Sequence, residues 1–189
     1  MRFIIKTILL IGAGVCFLTV KTFAQLYDES QLTVSFTLPP VTLLDIEPAT
    51  NNRLYFAMSP ALESGASPHF TETSNEELWL NYSSAVQNAN GSRAIVAQIS
   101  GGSLPEGISL NVEASQSGGQ GKGQLGQPAG KVALSGQPQT LIADIGNCFT
   151  GDGVGQGHQL TFTIELSDFS RLHAMSETVV VVMYTIVDF

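Results

Sequence analysis

The stretch Glu177-Thr-Val-Val-Val-Val-Met-Tyr-Thr-Ile-Val-Asp-Phe189 decides the fold class. Val, Ile, Thr and Tyr dominate it, and β-branched and aromatic side chains fit a pleated surface better than a helix. A period of two places Val180, Val182, Tyr184 and Ile186 on one face and Val179, Val181, Met183 and Val187 on the other. Both faces are apolar, which predicts protein on both sides and therefore a central strand closing a β-core. The run is too short to span a membrane as a helix, which takes about 20 apolar residues.

Upstream, the same kind of pattern recurs. Leu32, Val34, Phe36 and Leu38 alternate with polar residues until Pro39-Pro40, where neither residue can donate to a ladder. Further strands are predicted at 41–46, 54–58, 78–82, 93–99, 108–112, 131–134 and 140–145. Residues 158–167 give the cleanest alternation: Leu160, Phe162, Ile164 and Leu166 face in, and Thr161, Thr163, Glu165 and Ser167 face out. Residues 59–76 and 151–157 read as loops, as does the Gly/Gln-rich 115–130, which has no hydrophobic period to offset its ordering entropy. One helical turn at 74–78 is the only departure. About nine or ten strands at roughly 10-residue spacing predict an all-β, immunoglobulin-like sandwich of antiparallel strands.

Residues 1–24 read as a cleaved signal peptide. Arg2 and Lys6 precede an apolar run, and Thr22-Phe23-Ala24 supplies small residues before the cut. Lipidation of Cys16 is discounted because Val15 directly precedes it. The expected mature chain, 25–189, holds 165 of the 189 residues, which suits a single domain. Arg2, Lys6 and Lys21 leave with the leader, so five of the eight basic residues remain against sixteen acids, a formal charge of −11. Such a charge argues against nucleic acid as a partner, because phosphate contacts need Lys and Arg. Cys148 is then alone, so an intramolecular disulfide is excluded, and the thiol reads as a small packed side chain.

No catalytic or metal-binding constellation is expected, and no cofactor. Gly119-Gln-Gly-Lys-Gly-Gln-Leu-Gly126 resembles a phosphate loop only in composition: Gly123, not Ser or Thr, follows Lys122. His69, His158 and His173 lack metal-ligand spacing, and Asp144, Asp152, Glu165 and Asp168 match no calcium loop. No motif supports a Cys148–His nucleophile pair. Trp79 and Tyr82 are the candidate ligand contacts. Leu78, Leu80 and Tyr82 share one face and Trp79 the other, so Trp79 either fills space under a loop or stands ready to stack on a sugar. Asn81-Tyr-Ser83 and Asn90-Gly-Ser92 match the glycosylation triplet.

The alternating segment close behind the cleavage site, the Thr/Val/Gly/Asn-rich strands and the terminal Val-Val-Val-Val-Met-Tyr-Thr-Ile together resemble exported fimbrial-subunit-like and adhesin-like β-sandwich proteins of Gram-negative bacteria. That resemblance implies a non-enzymatic structural or adhesive role in the periplasm, at the outer surface or outside the cell. The partners would be the protein itself, other surface proteins or glycans. It also implies that Leu32, Val34, Phe36 and Leu38 form a strand-exchange segment. The chain departs from such subunits in lacking a disulfide and in carrying Asp188, not Tyr, next to last. A carbohydrate- or ligand-binding sandwich module is the alternative reading.

Overall fold

The computed structural model describes residues 32–37, 39–50, 52–88, 91–174 and 177–188. The expected leader, Leu38 and Asn90 of the second triplet lie outside these. The chain is all-β, and its strands are β1 (Val41–Glu47), β2 (Met58–Ser59), β3 (His69–Phe70), β4 (Ser74–Ala85), β5 (Arg93–Gly101), β6 (Ile108–Ala114), β7 (Lys122–Pro128), β8 (Val132–Ala133), β9 (Gln139–Phe149), β10 (His158–Leu166) and β11 (Val181–Asp188). No α-helix occurs among the described residues. Among the described residues a 3₁₀ turn, Phe169–Arg171, is capped by Asp168, which accepts hydrogen bonds from the backbone N–H and hydroxyl of Ser170. These bonds hold the Asp168 carboxyl below its ordinary pKa. No helix among the described residues is long and apolar enough to cross a membrane.

Nine of the strands join in one antiparallel sheet, and β2 and β3 form a separate ribbon. The large sheet has two branches, β1-β4-β10-β6-β8 and β11-β5-β9-β7. They meet where Ser83 and Ser84 of β4 pair with Phe149 and Cys148 of β9. Alternation dictates which side chains turn inward. Leu78, Leu80 and Tyr82 of β4, Ile95 and Ala97 of β5, Leu141, Ile142 and Ile145 of β9, and Leu160, Phe162 and Ile164 of β10 enter one buried cluster. Each large side chain buried there contributes about 1.5–3 kcal/mol of transfer free energy.

The structure corrects several of the sequence expectations. Residues 74–78 are no helical turn but the start of β4, because that strand must run 12 residues to reach both β10 and β9. Of the strand expected at 54–58 only Met58 pairs, opposite Phe70; Leu54 and Phe56 reach the core from irregular backbone. The Gly/Gln-rich 115–130 is not all loop, since β7 pairs along β9 from Lys122↔Phe149 to Pro128↔Ile142. Glycine makes this possible: Gly126 has φ +82°, and a Cβ there would stand 2.6 Å from the Ala143 carbonyl oxygen. The neighbour β9, and not the local sequence, orders this segment.

The fourth correction concerns the terminal stretch. β11 pairs with β5 alone among the described strands, so it is an edge strand and not a central one. Val182, Tyr184 and Ile186 pack on the core. On the opposite face Val179, Val181 and Met183 are 68%, 54% and 41% exposed.

Candidate functional site

The structure separates the two ligand-contact candidates. Tyr82 is a buried core residue, 3% exposed. Its hydroxyl lies within hydrogen-bond reach of the Leu125 carbonyl and of His158 Nε2, the latter at 2.9 Å. The two rings stack, with centroids 5.6 Å apart and planes 10° from parallel. His158 Nδ1 lies 2.8 Å from the Ser115 carbonyl. A carbonyl only accepts, so Nδ1 carries the proton and Nε2 is the acceptor of a neutral imidazole. The single hydroxyl proton of Tyr82 therefore serves two acceptors. Desolvation drives both groups toward neutrality: it lowers the His158 pKa against the pull of its backbone partners, and it raises that of Tyr82. The network joins β4, β7, β10 and the 115–118 turn.

Trp79 is half-buried on the other face of β4, opposite Glu47 of β1 and Gln159 of β10. Its ring approaches the Cα side of Gly118, so it is partly covered by the turn that precedes β7. Asn81 is buried as well, and its Nδ2 donates to the Gly153 carbonyl at 3.0 Å. Cys148 is a free, buried thiol whose pKa burial pushes up to about 11. Among the described residues no three His, Cys, Asp or Glu side chains gather as a metal site.

The strand edge is the feature with the geometry of a contact site. β11 presents one edge without a partner strand among the described residues, and its outward face exposes Val181 and Met183 beside Thr185. An unpaired, greasy edge is a template for strand addition, which proteins ordinarily blunt with Lys or Pro. No Lys, Arg or Pro stands anywhere in β11. At the far end of this strand, buried Arg93 fastens the edge to its neighbour. Its Nε donates to Asp188 Oδ1 at 2.6 Å, and its Nη1 donates to the Val41 carbonyl at 2.6 Å and to Ser84 Oγ at 3.2 Å. Burial without pairing is costly for a guanidinium, so these three bonds explain how Arg93 is tolerated.

The strand-exchange candidates Leu32, Val34 and Phe36 fall in 32–37, which form no strand, and their side chains are exposed. This corrects the expectation of a half-buried strand there.

A second surface feature, which the sequence did not mark, is a cleft of about 610 Å³ on the outer face of β1 and β4. It is bounded by Leu43, Asp45, Asn81, Ser83, Phe149 and Asp152. The cross-strand register brings these together, setting Leu43 opposite Ser83 and Asp45 opposite Asn81.

No family model matches the chain, and no curated protein or solved structure matches it.

Proposed function

We propose that this protein is a non-enzymatic, exported structural or adhesive protein of the fimbrial-subunit-like kind, acting by strand addition between copies. In this reading the two branches of the large sheet close face to face as an immunoglobulin-like sandwich. Its support is that side chains of both branches share one buried cluster. The observation that carries the functional reading is the edge of β11: eight residues long, without a partner strand on one side among the described residues, and with Val181 and Met183 exposed beside Thr185 on the face turned away from the core. The donor is the exposed alternating segment Leu32, Val34 and Phe36, with Leu38 continuing the pattern. Main-chain hydrogen bonds would supply affinity, and the alternate side chains would supply register.

The test is light scattering on the chain 25–189 and on its Val34→Asp/Phe36→Asp variant across a concentration series. Concentration-dependent oligomers that dissolve in the variant, with an unchanged β-rich circular dichroism spectrum, support strand addition. A monodisperse monomer at every concentration, or oligomers indifferent to the two aspartates, would refute it.

A further inference from the structure

β7 is held to the domain more loosely than the strands around it. It pairs with β9 alone among the described strands, and Leu125 is its single large apolar residue. Beyond that ladder its polar ties are few. Gln124 Nε2 donates to the Asp144 carbonyl, and the N–H of Gln120, just ahead of the strand, donates to Gln156 Oε1, both at 2.8 Å. The tie that reaches the interior is the Leu125 carbonyl, which accepts from Tyr82, the hydrogen-bond partner of His158. A weakly anchored edge strand is thus fastened to a fully buried histidine.

A proton added to His158 acts on this network in two opposing ways. In the neutral state the Tyr82 hydroxyl faces two acceptors with one proton. In the imidazolium Nε2 becomes a donor to the Tyr82 oxygen, and the hydroxyl proton is left to Leu125 alone, so one hydrogen bond is gained. Against that gain stands a full charge on a ring without solvent contact, and one hydrogen bond does not offset the lost hydration of an ion. No counter-charge helps: among the described residues His158 is in no ion pair. The titratable groups in the network are Tyr82 of β4 and, beside it, Cys148 of β9. Burial raises the pKa of each, so both stay uncharged in acid. The 115–118 turn and β7 present only the carbonyls of Ser115 and Leu125. The charged residues elsewhere on the packed elements are Glu76 and Glu77 of β4, Glu113 of β6, Lys122 of β7, Asp144 of β9 and Asp152 ahead of β10, all exposed. Glu165 of β10 itself is paired with Lys131.

Water relieves such a charge, and it reaches the ring when the element with the least to lose moves aside. β4, β9 and β10 are each held by two or more strands, and β7 by one. We propose that β7 is an acid-opened strap: when His158 takes up a proton, residues 119–128 lift from β9 while the rest of the sheet stays paired. Burial holds the His158 pKa below its ordinary value of about 6.5, so the strap is closed at neutral pH and opens only below that value. Opening bares the edge of β9 from Ile142 to Phe149, a second template for strand pairing. Acidity would then govern how many edges the sheet offers to a neighbour. The switch does not depend on strand addition at β11.

The test follows the chain 25–189 by NMR from about pH 7.5 to about pH 4.5 through two signals. One is the imidazole nitrogen shift of His158, and the other is hydrogen exchange of the 122–128 amides, corrected for the intrinsic effect of pH on exchange. Both should change with one midpoint below about pH 6.5. Exchange at 122–128 should rise roughly tenfold or more while the amides of β4 and β10 stay protected. His158→Gln should flatten the exchange profile. The control His69→Gln/His173→Gln, which removes the two exposed histidines, should leave it unchanged. Should His158→Gln fail to fold, the paired midpoints of the unaltered chain still decide. The proposal is overturned if neither signal moves, if 122–128 opens away from the His158 midpoint, or if His158 titrates and the strap stays closed. It is also overturned if β4 and β10 lose protection in step with β7, if the control flattens the profile, or if folded His158→Gln keeps it.

Discussion

Replacing Tyr82 by Phe removes one oxygen and keeps the ring that stacks on His158, so it isolates the buried polar network from the packing around it. Two groups lose a partner: the Leu125 carbonyl and His158 Nε2. A buried polar atom left unsatisfied costs about 1–3 kcal/mol. The Leu125 carbonyl belongs to β7, a strand built largely from Gly and Gln, so that is where the loss should be felt first. For a domain of this size each kcal/mol lowers Tm by roughly 2–4 °C, so Tyr82→Phe should melt roughly 2–12 °C lower than the unaltered chain. Thermal and urea unfolding followed by circular dichroism measure this. Hydrogen exchange at 122–128 should accelerate before exchange in β4 or β10. An unchanged or raised Tm would refute the reasoning. It would mean that the shared hydroxyl proton leaves the network no better satisfied than an apolar contact does.

Gly126→Ala forces a Cβ to within 2.6 Å of the Ala143 carbonyl at a backbone φ of +82°. It should destabilise the fold by roughly 1–3 kcal/mol and expose the 115–130 region to limited proteolysis, which mapping of the first cleavage site reads directly. His158 has a folded-state pKa below its unfolded value of about 6.5, so the unfolded chain takes up that proton first. Its contribution is therefore fully present above about pH 6.5 and is lost as pH falls from there toward the folded pKa. Urea midpoints between pH 7.5 and 5 should decline more steeply for the unaltered chain than for His158→Gln. Parallel profiles would remove His158 as the cause.

Much of this fold was legible because alternation was strong where packing is ordinary. Leu160, Phe162 and Ile164 are buried as their period demands, and Leu78, Leu80 and Tyr82 share the core face of β4. The pattern failed where a neighbour overrides the local sequence. β7 has a single large apolar residue, Leu125, and its order comes from β9 pressed against glycine backbone, which composition alone reads as loop. β11 failed in the opposite sense. Valines on both faces looked like a strand buried twice over, but Val179, Val181 and Met183 on one of those faces are exposed. Periodicity reports that a side chain prefers to be covered, and it does not say whether the cover comes from the same molecule. The cleft left no mark at all, because Asp45, Asn81 and Asp152 are distant in sequence and only the β1–β4 register and the Phe149–Asp152 turn gather them.

Arg93 holds the first residue of β1 and the last of β11 with one side chain, through the Val41 carbonyl and the Asp188 carboxylate. The point where the chain enters the sheet and the point where it leaves are thus cross-linked at a single rivet. A pull applied between these two points loads the guanidinium bonds before any ladder is sheared or unzipped. Mechanical resistance would then be concentrated in a few charge-assisted bonds at one end of the domain, and the long ladders of β4 and β9 would be spared until that rivet gives way.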